Sequence, residues 1–300
     1  MSRPILSRHR LTLAATLLVA GCVPAATTVP QGDAGKDPSV VTDDASAVEV
    51  VIASSDLALG RERFAFALLD ASKNLLPDAD LTVTFFRIEG DKAVQAAQSE
   101  ARYYAPRQEG TGLYVVPIVF EQAGVWGLEV AGNLADGRAI APQRIRFTVA
   151  TRPSGPAVGE APPATDNPIL APGQDIREIS TDPRPDPEFY AMTVDEARAS
   201  GRPTLVLLAT PGLCQSKICQ PVMDEVKTLK ARWQGRVNFI HVEVYRSLSD
   251  PGELSATMQA WGLNTEPWVY LLDKEGLVAA RLEGSASAAE IEPLLETLKP

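Results

Sequence analysis

The spacing of apolar residues changes once along the chain, and this change predicts two domains of different fold class. From Ala47 to Ala150, short runs alternate apolar with polar residues, which is typical of strands with one buried face. From residue 188 to residue 300, continuous apolar runs alternate with apolar residues at helical spacing, which indicates an α/β fold. Residues 151–187 lie between these regions and are rich in proline. Because proline favours extended backbone, we expect a semi-stiff linker there.

The first region has the features of an all-β, immunoglobulin-like sandwich. Six or seven strand-like runs, separated by turn residues, occur within about 100 residues. The region has no cysteine, no histidine and no acidic cluster with the spacing of a calcium loop. We therefore expect this domain to position the chain or to dock a partner. The clearest runs are 48–52, 63–68, 81–86, 112–118, 127–130 and 144–149.

The N-terminus has the composition of an export signal. Arg3, Arg8 and Arg10 precede an apolar stretch, residues 11–20, that is too short for a resident membrane helix. The stretch ends in Val-Ala-Gly-Cys, residues 19–22, which resembles the lipobox of bacterial lipoproteins. A plain signal peptide that happens to contain a cysteine is the alternative.

The lipobox resemblance implies that residues 1–21 are removed as a signal peptide and that Cys22 carries the lipid. Residues 22–46 are small and polar and predict a disordered tether. We therefore expect a lipid-anchored protein at the cell membrane or the outer membrane, facing the periplasm or the extracellular side. The net charge of −10 argues against a nucleic-acid partner. Removal of residues 1–21 takes away three arginines and no acid, which leaves a net charge of −13 and argues against attraction to anionic lipid, so the lipid on Cys22 must hold the protein at the membrane.

The C-terminal region, residues 188–300, shows the order α-β-α-β-α-β-β-α. A helix begins at Thr193, whose spacing to Glu196 is that of a capping box. The run Thr204–Ala209 is a continuous apolar strand that leads to Cys214 and Cys219. The remaining elements are a helix after the cysteines, a strand at 237–245, a helix at 254–261, a hairpin at 268–282 and a last helix at 288–298.

Residues 188–300 resemble a thioredoxin domain. The resemblance rests on the strand that leads into a cysteine pair, the helix after the pair, the segment Ala-Trp-Gly-Leu-Asn-Thr-Glu-Pro at 260–267, and the closing hairpin and helix. It implies a redox-active cysteine pair, no bound cofactor, and a cis peptide bond before Pro267. The same fold also serves copper chaperones, peroxidases and inert scaffolds, so activity has to be argued from the site.

The cysteine spacing departs from the thioredoxin pattern Cys-x-x-Cys. On an unbroken helix, residues five apart lie about 140° around the axis and about 7.5 Å along it. A disulfide needs Cα atoms about 4.4–6.8 Å apart, so residues 215–218 must form a loop if Cys214 and Cys219 are to bond. Two registrations are open. Cys219 matches the family's second, resolving cysteine, which we favour and which makes Cys214 the attacker, or Cys219-Gln-Pro-Val222 matches Cys-Gly-Pro-Cys without its last cysteine.

Several neighbours are expected to tune these thiols. A helix N-terminus and the positive charge of Lys217 favour thiolate, and Pro221 fits a first helical turn. If the Pro267 loop lies over the sulfurs, as the resemblance implies, an ionised Glu266 would raise a thiol pKa. The alternative is that Glu266 is a solvated loop acid.

A proton acceptor has to be sought elsewhere than in thioredoxins. The family buries an aspartate in the strand before the cysteines, and the resemblance places Val206 there. His241 falls where the family has a lysine beside that aspartate, and Glu243, two residues on, points to the same side. One interpretation is that His241, oriented by Glu243, accepts the proton. The other is a hydrogen-bonded structural histidine.

These observations favour a membrane-anchored thiol–disulfide oxidoreductase that acts through Cys214 and Cys219. Its partners would be exported protein thiols and disulfides or a membrane redox partner. Two alternatives are a binding or scaffold lipoprotein with a structural disulfide, and a Cu(I)-handling chaperone in which His241 joins the two thiolates.

Overall fold

The computed structural model of the protein describes residues 48–108 and 110–299. The predicted signal peptide, the lipidation site Cys22 and the tether at 22–46 lie outside the described residues, so they stay predictions. Among the described residues, every helix is too short or too polar to span a bilayer.

The N-terminal domain is a β-sandwich in which β4 belongs to both sheets. Its order is β1-β2-β5-β4-β3-β6-β7, with every neighbouring pair antiparallel. The end of β4 pairs with β5 and the rest pairs with β3, so the order matches the ABED and CFG sheets of immunoglobulin domains. The strands are β1 (Glu49–Ile52), β2 (Gly60–Leu69), β3 (Asp80–Glu89), β4 (Lys92–Tyr104), β5 (Leu113–Phe120), β6 (Gly124–Asn133) and β7 (Ala139–Val149).

Alternation of apolar and polar residues places an aromatic cluster between the two sheets. Phe64 and Phe85 are fully buried and meet edge to face, with ring centroids 5.1 Å apart. Phe120 and Trp126 extend the cluster. The sequence runs did not include β4, because its residues are mostly small or polar and none of them is buried.

The proline-rich segment 151–187 lies along the C-terminal domain and does not span a gap between domains. The Gly159 N–H donates to the Val278 carbonyl at 2.7 Å, and the Trp261 ring N–H donates to the Pro163 carbonyl at 3.0 Å. The Asn167 side chain accepts from the Val194 N–H at 2.8 Å. The expected semi-stiff linker is therefore a packed covering, since proline lacks only its own N–H and leaves every carbonyl free to accept.

The C-terminal domain has the expected order of elements around a four-stranded sheet. The sheet runs β11-β10-β8-β9, with β8 and β9 parallel and the other pairs antiparallel. The predicted capping box of Thr193 and Glu196 is present at the start of α1. The elements are α1 (Val194–Ala199), β8 (Thr204–Leu208), α2 (Cys219–Trp233), β9 (Asn238–Val242), α3 (Ala256–Ala260), β10 (Trp268–Leu272), β11 (Val278–Glu283) and α4 (Ala288–Thr297).

Each face of this sheet carries its own apolar core. The side chains of Leu205 and Leu207 pack with α2 and α4 on one face, and those of Val206 and Leu208 pack with α1 and α3 on the other. Every residue of β8 is buried because helices cover both faces of the central strand. The loop after β8 therefore leaves a rigid element, and it carries the cysteines.

Buried charged groups join the sandwich to the C-terminal domain. Arg281 of β11 is 8% exposed and pairs with Asp56 at 2.7 Å and with Glu62 at 3.3 Å. Arg63 of β2 pairs with Glu290 of α4 at 2.5 Å. Both domains belong to the same compact unit of the chain.

Candidate redox site

Cys214 and Cys219 form a disulfide between the loop after β8 and the first residue of α2. Their Cα atoms are 6.1 Å apart, within the range that a disulfide requires. Lys217 adopts φ +59°, and its N–H donates to the Cys214 carbonyl at 3.3 Å, which turns the chain back on itself. The predicted loop at 215–218 is confirmed, and it is this left-handed turn that lets a Cys-x4-Cys pair close.

Exposure distinguishes the two cysteines. Cys219 is completely buried, whereas Cys214 is half-buried and its sulfur lies 3.2 Å from the Ser216 hydroxyl. Cys219 begins a helix of 15 residues, so its sulfur is near unpaired N–H groups, and Pro221 occupies the first turn. An incoming sulfur therefore reaches Cys214 more easily than Cys219.

The loop of Glu266 and Pro267 faces the disulfide. The Glu266–Pro267 peptide bond is cis, as the resemblance implies. Glu266 Oε2 lies 3.4 Å from Cys219 Sγ and accepts the Thr210 N–H at 2.8 Å. In the disulfide that sulfur carries no hydrogen, but in the dithiol form the same contact would be a thiol donating to a carboxylate.

The environment of Glu266 makes its carboxyl harder to ionise than that of a solvated glutamate. Burial raises the pKa of the Glu266 carboxyl, and the negative charge of Glu243 adds to this. The Thr210 N–H and the Tyr245 hydroxyl donate to the carboxylate and oppose the rise without cancelling it. The charge of Glu266 in turn contributes, after burial, to a raised pKa of Tyr245. Glu266 is therefore not a solvated loop acid.

Hydrogen bonds also hold the Glu266–Pro267 loop on the side away from the disulfide. The Pro267 carbonyl accepts from the Gly284 N–H at 2.9 Å. The Thr265 hydroxyl donates to Glu283 at 2.9 Å, and Glu283 also accepts the Ser55 N–H of the sandwich at 2.7 Å. The sandwich thus contacts a residue that positions the loop opposite the disulfide.

His241 is buried and held by Tyr190, not by Glu243. Its Nε2 lies 2.8 Å from the Ala209 carbonyl, which can only accept, so Nε2 carries the hydrogen. Its Nδ1 lies 2.6 Å from the Tyr190 hydroxyl, and burial raises the pKa of Tyr190. Both ring nitrogens are engaged in this way, which is the arrangement of a structural histidine.

Glu243 has a different set of partners. Its carboxylate accepts the Thr181 N–H at 2.6 Å and the Thr181 hydroxyl at 3.0 Å. The Thr181 hydroxyl also accepts the Gly212 N–H at 3.0 Å, so Glu243 reaches the cysteine loop through Thr181. His241 and Glu243 both line a cavity of about 220 Å³. Within the part of the chain that the structure describes, they make no hydrogen bond to each other.

Two residues that contact His241, Glu243 or the cysteine loop, Thr181 and Tyr190, could not be recognised from a sequence pattern. Thr181 lies in a proline-rich stretch without periodicity, and Tyr190 lies in a short 3-10 turn, Pro187–Tyr190. Glu266 stood out only because it precedes the expected cis-proline. Its distance from Cys219 depends on how β10 packs beside β8, which no local pattern encodes.

The side chains near the sulfurs are a poor match for Cu(I). Among the described residues, the His, Cys or acidic group that comes within 4.8 Å of both cysteine sulfurs is Glu266. A carboxylate is a hard ligand, whereas Cu(I) prefers thiolate and imidazole. His241, which the copper hypothesis needs as third ligand, is bound to Tyr190 and Ala209.

A four-stranded mixed sheet, a disulfide at the start of α2 and a cis-proline loop facing it define a thioredoxin-like domain. In agreement, residues 190–299 match the family model of the thioredoxin-like domain. The match covers the C-terminal part of the chain and does not include the sandwich. No curated protein matches the chain.

Several solved structures are similar to parts of the chain at low sequence identity. A thiol:disulfide interchange protein of the thioredoxin family from Chlorobium tepidum TLS is 16% identical over 37% of this chain and 92% of its own, with a TM-score of 0.30. A thioredoxin-like protein in the oxidised form is 21% identical over 32% of this chain and 77% of its own, with a TM-score of 0.27. MtrC from Shewanella baltica OS185 is 10% identical, with a TM-score of 0.28, and the match covers 41% of this chain but only 24% of MtrC.

Proposed function

We propose that the protein is a membrane-anchored, extracytoplasmic thiol–disulfide oxidoreductase that exchanges disulfides through Cys214 and Cys219. The observation that carries the proposal is the pairing of a half-buried Cys214 with a fully buried Cys219 at the start of α2, opposite the cis-proline loop. This arrangement gives one sulfur for attack and a second, shielded sulfur for resolution.

The reduced pair would act on a client disulfide in two exchanges. The Cys214 thiolate attacks one client sulfur, a mixed disulfide forms, and the other client sulfur leaves as thiolate and takes a proton from water. The Cys219 thiolate then attacks Cys214 Sγ, the protein disulfide forms, and the second client sulfur leaves. The client disulfide is reduced to a dithiol by two electrons, and the protein dithiol is oxidised by the same two; the reverse sequence oxidises a client.

The environment of the pair supports exchange. The helix N-terminus stabilises a thiolate at Cys219 once its proton has gone, and the Ser216 hydroxyl can donate to a thiolate at Cys214. A bond serving only as a structural staple does not need an accessible sulfur. The scaffold alternative therefore requires the same disulfide to be inert although Cys214 is only partly buried.

A redox titration tests exchange against a structural staple. The chain with Cys22→Ser retains only the pair, and it is equilibrated in dithiothreitol and glutathione buffers and then alkylated. An exchanging pair should titrate above about −300 mV, whereas a structural bond should titrate below that value. Cys214→Ser with Cys22→Ser is the matched control and should show no two-electron transition.

The membrane anchor is supported by the lipobox-like sequence before Cys22. We expect the wild-type chain in the membrane fraction, with an N-terminal peptide whose mass includes the lipid on Cys22. The N-terminal peptide of Cys22→Ser should lack that added mass. If the N-terminal peptide of the wild-type chain carried no lipid on Cys22, the lipid anchor would be rejected while the redox proposal stood.

A further inference from the structure

Cys219 needs a proton acceptor that its surroundings must supply. Its sulfur is completely buried, so water has no direct access, and burial disfavours the thiolate required to resolve a mixed disulfide. In the strand before the cysteines, the position at which thioredoxins have a buried acid is occupied by Val206. Val206 has no acidic group, and it packs on the face of the sheet opposite Cys219. His241 is engaged with Tyr190 and Ala209.

Glu266 is the acidic group in contact with this sulfur. Its Oε2 is 3.4 Å from Cys219 Sγ, and the Thr210 N–H at 2.8 Å holds that same oxygen in place. The titratable groups that face Glu266 are Cys214, Cys219, Tyr245 and Glu243. Burial raises the pKa of Glu266 toward that of a thiol. The free-energy cost of moving a proton from the Cys219 thiol to Glu266 is therefore smaller than it would be with a solvated glutamate.

We propose that Glu266 takes the proton from the Cys219 thiol when Cys219 resolves a mixed disulfide on Cys214, and that in the reverse reaction Glu266, protonated from water, donates a proton to the Cys219 sulfur when the disulfide is opened. The proposal rests on the proposed function. In the resolving step the S–H bond of Cys219 breaks, its proton goes to Glu266 Oε2, and its electron pair forms the Cys214–Cys219 bond. The client sulfur leaves with the electrons of the mixed disulfide, and protonated Glu266 then loses its proton to water.

The test separates attack from resolution with one probe, the aromatic disulfide dithiobis(nitrobenzoate), whose thiolate product is coloured. Reduced protein with Cys22→Ser should release one equivalent in a phase that depends on probe concentration, from attack by Cys214. A second equivalent should follow in a phase independent of probe concentration, from resolution by Cys219. Stopped-flow absorbance records both phases as a function of pH.

Glu266→Gln should slow the resolving phase by about tenfold or more near neutral pH. It should leave the attack phase within about twofold, and the resolving phase should lose the inflection that protonation of Glu266 produces. Glu266→Asp keeps a carboxylate with a shorter reach and should recover part of the rate. Glu253→Gln, which alters an exposed loop acid paired with Arg246, is the matched control and should resemble the parent chain.

A faster resolving phase in Glu266→Gln would overturn the proposal. If Glu266 acted only through its negative charge, its removal would make the Cys219 thiolate easier to form, and Glu266→Gln would resolve faster. An unchanged resolving rate, or equal slowing of both phases, would also overturn it while leaving thiol exchange intact. Failure of the parent chain to release a second equivalent would overturn the proposed function itself. A glutamine can still accept the Thr210 N–H, and an unfolding curve for each variant checks that the fold is kept.

Discussion

The buried carboxyl of Glu266 is expected to lower the free energy of unfolding of the protein at neutral pH. Its carboxyl is partly buried against Cys219, and burial raises its pKa in the folded protein. The folded chain therefore holds this proton at higher pH than the unfolded chain does. Stability from this group is complete below the unfolded pKa and is lost as pH rises through the raised folded pKa.

We therefore expect Glu266→Gln, with the disulfide intact, to raise the free energy of unfolding at neutral pH. Glutamine needs no ionisation and keeps an acceptor for the Thr210 N–H. The difference from wild type should shrink as the pH falls below the ordinary glutamate pKa of about 4.3. Urea unfolding at a series of pH values measures this. A variant less stable than wild type at neutral pH would contradict the assigned effect of burial.

The unequal exposure of the cysteines makes a second prediction at this scale. In the reduced protein, limited treatment with iodoacetamide should modify Cys214 at least about tenfold faster than Cys219, because Cys219 is fully buried. Peptide mass spectrometry after short exposure counts the two products. Protein with the disulfide intact is the control and should take up no label. Faster labelling of Cys219 would reverse the assignment of attacker and resolver.

At the scale of elements, the cysteine loop between β8 and α2 is held from outside the sheet. Thr181, in the proline-rich segment, bonds both Glu243 of the region after β9 and the Gly212 N–H. A Cβ added to Gly212 would lie 2.8 Å from the Thr181 Cβ and 3.1 Å from the Thr181 carbonyl. This close approach explains why a glycine precedes the cysteines and couples the segment 151–187 to the site.

Gly212→Ala should therefore lower the free energy of unfolding by about 1–3 kcal/mol, because Thr181 or the loop must shift. Gly127→Ala is the matched control: its added Cβ would lie 3.5 Å from Ile88 Cδ1, an ordinary contact distance, and we expect a smaller loss. Chemical denaturation of both variants gives the comparison. Equal losses would show that the contact with Thr181 is not tight.

Elements were predicted well where a pattern is local. The order in residues 188–300 and the capping box of α1 are confirmed, because strand and helix periodicities are written within a few residues. β4 was missed because strand pairing stabilises it without a buried apolar face. The packing of segment 151–187 was missed because its partners, such as Val278 and Trp261, are distant in sequence.

At the scale of the whole molecule, the two domains are joined by charges removed from water. Arg281 contacts Asp56 and Glu62, and these three side chains are at most 13% exposed. Burial alone would raise the pKa of Asp56, but the Ser154 N–H and Arg281 outweigh it and lower that pKa. Asp56 therefore contributes stability at neutral pH that is lost as the pH falls through its lowered folded pKa.

Replacing Arg281 should weaken the contact between the two domains, so that they no longer unfold together. Arg281→Met leaves the carboxylates of Asp56 and Glu62 uncompensated, and we expect a loss on the order of 3 kcal/mol. Calorimetry should show one transition for wild type and an earlier, broader or divided transition for the variant. Arg246→Met is the matched control; its partner Glu253 is exposed, so the loss should be below about 1 kcal/mol. Similar losses in both variants would contradict a cooperative joint.

The sequence by itself determined the two fold classes, the order of C-terminal elements and the need for a loop between Cys214 and Cys219. These follow from periodicity and from the reach of a disulfide, which are local quantities. The tertiary structure alone decided that Glu266, 47 residues from Cys219, is the carboxylate at its sulfur, and that Glu243 binds Thr181, 62 residues away. Contacts at such separations depend on how the sheet, its loops and the covering segment pack together, and no single stretch of sequence records that packing.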